Sequence, residues 1–207
     1  AYAVAIGDQN QALKEEAIAV GLQNKVLGEK ASSFGHRNLV ESYHDIAIGH
    51  DNLLASSSMT NSSGQTLTGA NNALGSENTL VGTENNVTGN YNNVGGASYD
   101  EASLSKTSSG NPLQNVTVLG NRNNVNSASH LNTDTTVLGS SSTLFGSRNN
   151  IIGTYNRIGE GTIGNTSTFK EVTNANVLGS ENVVKSNNTG IVGINNTIDA
   201  GTTGSFI

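Results

Sequence analysis

Four Gly-x-x-Asn units open the chain at one spacing: Gly7, Gly21, Gly35 and Gly49 stand fourteen residues apart, and Asn10, Asn24, Asn38 and Asn52 follow each by three. The residues before each glycine keep the same register. Val4, Ile18, Ser32 and Ile46 form one column, Ile6, Val20, Phe34 and Ile48 a second, and Ala5, Ala19, Ser33 and Ala47 lie between them. A period of two is thus nested in a period of fourteen. Farther on the spacing halves, with Gly75, Gly82, Gly89 and Gly96 in one run and Gly139, Gly146 and Gly153 in another, and Gly179 and Gly193 restore fourteen. Repetition at a fixed period marks a solenoid, in which each unit covers its neighbour's apolar face.

Periods of seven and fourteen also suit helical heptads, but the glycines decide against a coiled coil. One glycine in every unit costs a helix about 1 kcal/mol relative to Ala, and Asn and β-branched residues add smaller penalties. A strand reading meets no such conflict. Short Val/Ile runs alternate with small residues, and Gly and Asn supply the positive-φ positions of tight turns. The pattern predicts an all-β fold, a parallel β-solenoid whose fourteen-residue coil holds two short strands and two turns. Coils stack at about 4.8 Å, so residues fourteen apart lie above one another. The asparagines then either form a hydrogen-bonded ladder along the axis or simply tolerate the turn; the sequence leaves both readings open.

The first strand is apolar on both faces, Val4 and Ile6 on one and Ala3 and Ala5 on the other. Strands of that kind are buried on both sides. One face can line the coil interior, and the other needs a cover, most economically another copy, with either the Ala-rich or the Ile-rich faces meeting around an axis. Lys14, Glu15, Glu16, Glu29, Lys30, Glu41 and His44 all fall in the other half of the coil, the half left to water.

The repeat occupies 1–54, 67–96, 117–125, 136–164 and 176–207 of a single domain, and four polar insertions interrupt it at about 55–66, 97–115, 126–135 and 165–175. Insertions become loops on the flank, and loops on a rigid scaffold gather binding residues. The longest carries Tyr99, Asp100, Glu101, Leu104 and Lys106, and the last carries Phe169 and Lys170; these are the candidate ligand contacts. Phe34 and Phe145 precede glycines and read as core. Tyr91 and Tyr155, each two residues after a glycine, read as exposed.

Composition narrows the function classes. A net charge of -6 without a basic cluster argues against nucleic acid and anionic lipid. There is no cysteine, hence no disulfide framework and no thiolate site. No apolar run reaches the length of a membrane span, and the first residues do not form a signal peptide. The pattern is already under way at Ala1 and still running at Ile207, the expectation being a piece of something longer. The stretch Gly159-Glu-Gly-Thr-Ile-Gly164 spells a dinucleotide fingerprint but lacks the helix that gives it meaning. His36 and His50 share a column and read as exposed turn residues rather than a metal pair. No two carboxylates recur on a strand face as a glycosidase site requires, the Asn-x-Ser/Thr sequons follow from composition, and no Thr-x-Thr array suited to ice recurs. No catalytic residue, cofactor or metal is expected.

The units AVAIGDQNQAL, AIAVGLQNKVL and DIAIGHDNLLA, in register over 1–54 and looser beyond, resemble the head repeat of the trimeric autotransporter adhesins, the YadA-like head. The resemblance covers most of the chain. It implies a left-handed parallel β-roll, a homotrimer, exposure on the outer surface of a Gram-negative bacterium, and a coiled-coil stalk and membrane β-anchor outside this stretch. The usual neck sequence does not occur before Ile207. It also implies a host ligand such as collagen, fibronectin, laminin or an immunoglobulin-like cell-adhesion receptor, though no single binding motif transfers. The coils would stack into a rod of roughly 50 Å, on the order of ten coils long. The rival expectation is a structural spacer or self-association element of a biofilm.

Overall fold

Alternating Val, Ile and Ala before each glycine build strands, and the strands stack in chain order. The computed structural model describes residues 2–55, 59–60, 66–67, 69–96, 99–100, 105–106, 112–127, 133–162, 165–202 and 204–207. Two parallel sheets run side by side along the whole chain. The first sheet begins with Val4–Asp8, Ile18–Leu22, Ser32–His36 and Ile46–His50 and ends with Thr189–Ile194. The second begins with Gln11–Ala12 and Lys25–Val26 and ends with Thr197–Ile198. Among the described residues there is no helix.

Register follows the repeat. Val4 pairs with Ile18, Ile6 with Val20 and Gly7 with Gly21, and the same columns continue through Gly35 to Gly49. Where an insertion intervenes the register resumes after it: Gly49 pairs with Gly75, and Val87 with Val118. The architecture is therefore a β-solenoid, as the periodicity predicts.

The interior resolves the ambiguity over faces. Ala19, Ala47 and Ala73 on the first sheet are buried against Val26, Val40, Leu54 and Leu80 of the second. Later coils replace the alanines by Val87, Val118, Ile151 and Ile191, still buried. So the Ala-rich column is the core. Each fully buried Leu or Ile contributes about 1.5–3 kcal/mol of apolar transfer, which offsets the small size of each interior. The flanking columns point outward, and Phe34, read from the sequence as core, is one of them, 40% exposed. Position parity on a strand sends alternate side chains to opposite faces, and Phe34 shares its parity with Ile6, not with Ala19. Phe145 lies on a strand of the second sheet, Thr143–Ser147, and is buried.

The asparagines form a ladder. Asn24 Oδ1 accepts from Asn38 N at 3.2 Å and Asn38 Nδ2 at 2.9 Å, and Asn38 Oδ1 does the same for Asn52 at 3.0 and 2.9 Å. Each Nδ2 also donates to a glycine carbonyl on the next coil, Asn38 to Gly49 O at 3.0 Å and Asn52 to Gly75 O at 2.8 Å. The ladder continues through Asn78, Asn92 and Asn123 and ends at Asn182 and Asn196. Buried turn amides that have no strand partner thereby find acceptors, and the carboxamide adds a donor to the glycine carbonyl, so Asn does more here than tolerate the turn.

Candidate interaction surface

One outward column of the first sheet is apolar along most of the rod, interrupted by Thr88 between Leu74 and Leu119. Ile6, Ile48, Leu74, Leu119, Leu178 and Val192 are 43–58% exposed and stand on successive or nearby strands. The neighbouring column begins apolar, with Val4 and Ile46, and then turns polar: Asn72 Nδ2 donates to Asn86 Oδ1 at 2.8 Å and Asn150 Nδ2 to Asn176 Oδ1 at 3.0 Å, both in the open. The result is a narrow apolar stripe bordered by amides. Contiguous exposed apolar surface of this kind marks a contact site.

The four insertions leave from one corner. Each follows a strand of the second sheet, Leu53–Ala55, Asn93–Val94, Asn124–Asn126 and Arg157–Ile158, and precedes the next strand of the first. Three of them contain an antiparallel strand pair, Met59–Thr60 with Thr66–Leu67, Tyr99–Asp100 with Ser105–Lys106, and Glu160–Thr162 with Asn165–Lys170. The last pair starts before the 165 boundary drawn from the sequence. In coils without an insertion the same corner carries the exposed charges Lys14, Glu15 and Glu16. Chain length varies there because the insertions leave after a strand of the second sheet and return before the next strand of the first, outside the pairing of the two long sheets.

Of the candidate contact residues, Tyr99 lies opposite Lys106 in a hairpin, and Asp100 opposite Ser105. Glu101 and Leu104 lie outside the described residues. Phe169 is in the strand Asn165–Lys170. Lys170 is exposed and reaches Glu160 at 3.4 Å, while Lys185 lies 3.6 Å from both Glu160 and Asp199. Hydrogen bonding and charge from Lys170 hold the Glu160 carboxyl below its usual range. These groups line an open cleft of about 390 Å³ at the foot of the hairpin.

The opposite turns carry the other features. Tyr91 and Tyr155 have φ of +59° and +57° and are 51% and 66% exposed, and the Arg122 guanidinium stands 5.7 Å from the Tyr91 ring. His36 and His50 pair in register, but among the described residues no group of three metal-binding side chains gathers. His50 instead sits 3.1 Å from Asp51, whose carboxylate takes both Nε and an Nη of Arg37 at 2.7 Å. Burial pushes the Asp51 carboxyl up, yet the Arg37 and His50 contacts outweigh it and hold it below the usual range. That pairing stabilises the fold above the ordinary carboxylate range and is lost as pH falls through the lowered one.

The chain matches no protein-family model, no curated protein and no solved structure.

Proposed function

We propose that this chain is the head of a bacterial surface adhesin: a left-handed β-roll that assembles as a homotrimer through its apolar stripe and binds a host surface or matrix protein through its insertions. The observation that carries the reading is the division of the coil, apolar along one outward column and bearing all four insertions at one corner. A stripe that repeats at the interstrand spacing is best matched by a surface with the same repeat, and a second copy of the chain has it. The hairpins remain outward in such an assembly. The head would stand on the outer surface of a Gram-negative cell as part of a longer chain, contacting its ligand without chemistry, nucleic acid or membrane.

Three equivalent copies multiply a weak contact, raising apparent affinity by roughly 10²–10⁴ over a single site. The test uses sedimentation together with capture of matrix and cell-surface proteins on an array. The unaltered protein is expected to sediment as a trimer and to retain at least one host protein. Ile48→Asp with Leu119→Asp places charge in the stripe and is expected to give folded monomers with retention lowered about 100-fold by lost avidity. Deleting 98–111, which leaves the strand Leu113–Gln114 in place, is expected to abolish retention and leave the trimer intact. A monomeric unaltered protein removes the assembly; undiminished retention after the deletion removes the loop as the contact.

A further inference from the structure

A second ladder runs beside the first, and it starts on a carboxyl. Asn85 Nδ2 donates to Asn71 Oδ1 at 3.0 Å, and Asn71 donates through N at 2.8 Å and Nδ2 at 3.1 Å to Asp45 Oδ1. Asp45 is fully buried. Below it the same column holds Ala31 and Ala17, which offer nothing polar. Asp45 Oδ2 has no hydrogen-bond partner, and neither does the Ser42 hydroxyl, equally sealed from water.

An ionised carboxylate only accepts hydrogen bonds, so as an anion Asp45 would hold a fully buried charge against neutral donors alone, Asn71 and the neighbouring Ser42 hydroxyl. Among the described residues no cation forms an ion pair with it. The titratable groups around it are Glu29 and Lys30 on the preceding turn and Glu41, Tyr43 and His44 on its own, while the chain from Asn52 to Ser76 contains none. Lys30 is engaged with Tyr43 at 3.3 Å and Glu29 at 3.9 Å. Burial pushes the Asp45 carboxyl up to about 7, against the opposing pull of Asn71 and Ser42.

We propose that Asp45 is a proton-binding site built into the second ladder: as the neutral acid its Oδ2–H donates to Ser42 Oγ, partnering both orphaned atoms, and release of that proton to solvent loosens the junction at Asn71. That junction is where the chain regains the first sheet after its first insertion, since Ile46 N donates to Asn71 O at 2.9 Å across it. The sign is opposite to that of a salt-bridged carboxylate. A midpoint of about 7 against an ordinary 3.8 means the folded chain holds the proton more tightly, so the stabilisation is full below the ordinary value and fades as pH rises to the folded midpoint. The first insertion is thus clamped more firmly in mildly acidic surroundings than above neutrality.

The experiment follows the Asp45 carboxyl carbon by ¹³C resonance, assigned through bonds in the unaltered protein, from about pH 4 to pH 8. A titration midpoint near neutrality is expected, together with faster exchange of the Asn71 amide above it than base catalysis alone gives. In parallel, the unfolding midpoints of Asp45→Asn and the unaltered protein should differ most above pH 7 and converge toward pH 4. A carboxyl carbon already ionised at about pH 5 overturns the proposal, as does a difference between the two proteins that is flat across the range. Should Asp45→Asn not fold, the carbon titration decides alone.

Discussion

Gly49→Ala is expected to abolish the cooperative unfolding transition, leaving a protein that does not complete its stack. The new Cβ would stand 1.7 Å from Gly75 O on the next coil, at a backbone φ of +127°. Neither defect relaxes locally. The oxygen belongs to backbone paired in register, and it is also the acceptor of Asn52 Nδ2 at 2.8 Å. Moving the coils apart to admit the methyl therefore breaks strand pairing and ladder together, which places the cost above about 4 kcal/mol, the range reserved for failures of this kind. Gly201→Ala supplies the control. Gly201 has φ +94° and nothing within 4 Å of its virtual Cβ, so that change should cost on the order of 1 kcal/mol of backbone strain alone. Denaturant melts of the two proteins check the contrast, and equal effects would show that conformation, not the clash, selects glycine in the stack.

That geometry also explains why Gly and Asn recur three apart. A Cβ at the glycine and the carboxamide at the asparagine aim for the same carbonyl oxygen, so the glycine leaves the space that the asparagine uses. The Gly-x-x-Asn period was legible because one steric fact and one hydrogen-bonding fact repeat with every coil. Strand direction, register and the division into two sheets follow from it. Which apolar column faced inward was less legible, since Ala and Ile both suit a strand; the inner column is set by strand parity and holds Ala19 and Ala47 in early coils but Ile151 and Ile191 in later ones. Phe34 misled for the same reason. The second ladder escaped the sequence reading because its members vary, Asp45, Asn71, Asn85 and then Val116 and Thr135. The doubled Asn-Asn four and three residues before Gly75, Gly89 and Gly153 was its available signal. The candidate contacts Tyr99 and Lys106 could be placed in an insertion, but nothing periodic constrains an insertion's shape.

Asn38→Ala is expected to destabilise the protein by about 3–5 kcal/mol, far more than removal of a polar turn residue usually does. The buried carboxamide ties three coils together, donating to Asn24 Oδ1 and Gly49 O and accepting from Asn52 N and Nδ2. Truncation leaves Asn52 N without its acceptor and Gly49 O without the Asn38 donor, each a desolvated group worth about 1–3 kcal/mol. The chain carries its own comparison at Ser142, which occupies the ladder between Asn123 and Asn156. Ser142 N still donates to Asn123 Oδ1 at 3.1 Å, and Ser142 Oγ still accepts from Asn156 N at 3.3 Å. A hydroxyl thus preserves the acceptor for the next coil's amide while giving up the carboxamide's reach to the glycine carbonyl. Asn38→Ser should accordingly recover about half of the loss, and Ser142→Asn, which extends a donor toward Gly153 O, should stabilise by about 1 kcal/mol. Urea unfolding midpoints at constant slope would measure all three. An Asn38→Ser protein no more stable than Asn38→Ala would mean that the donor to Gly49 O, not the acceptor for Asn52 N, is what the ladder supplies.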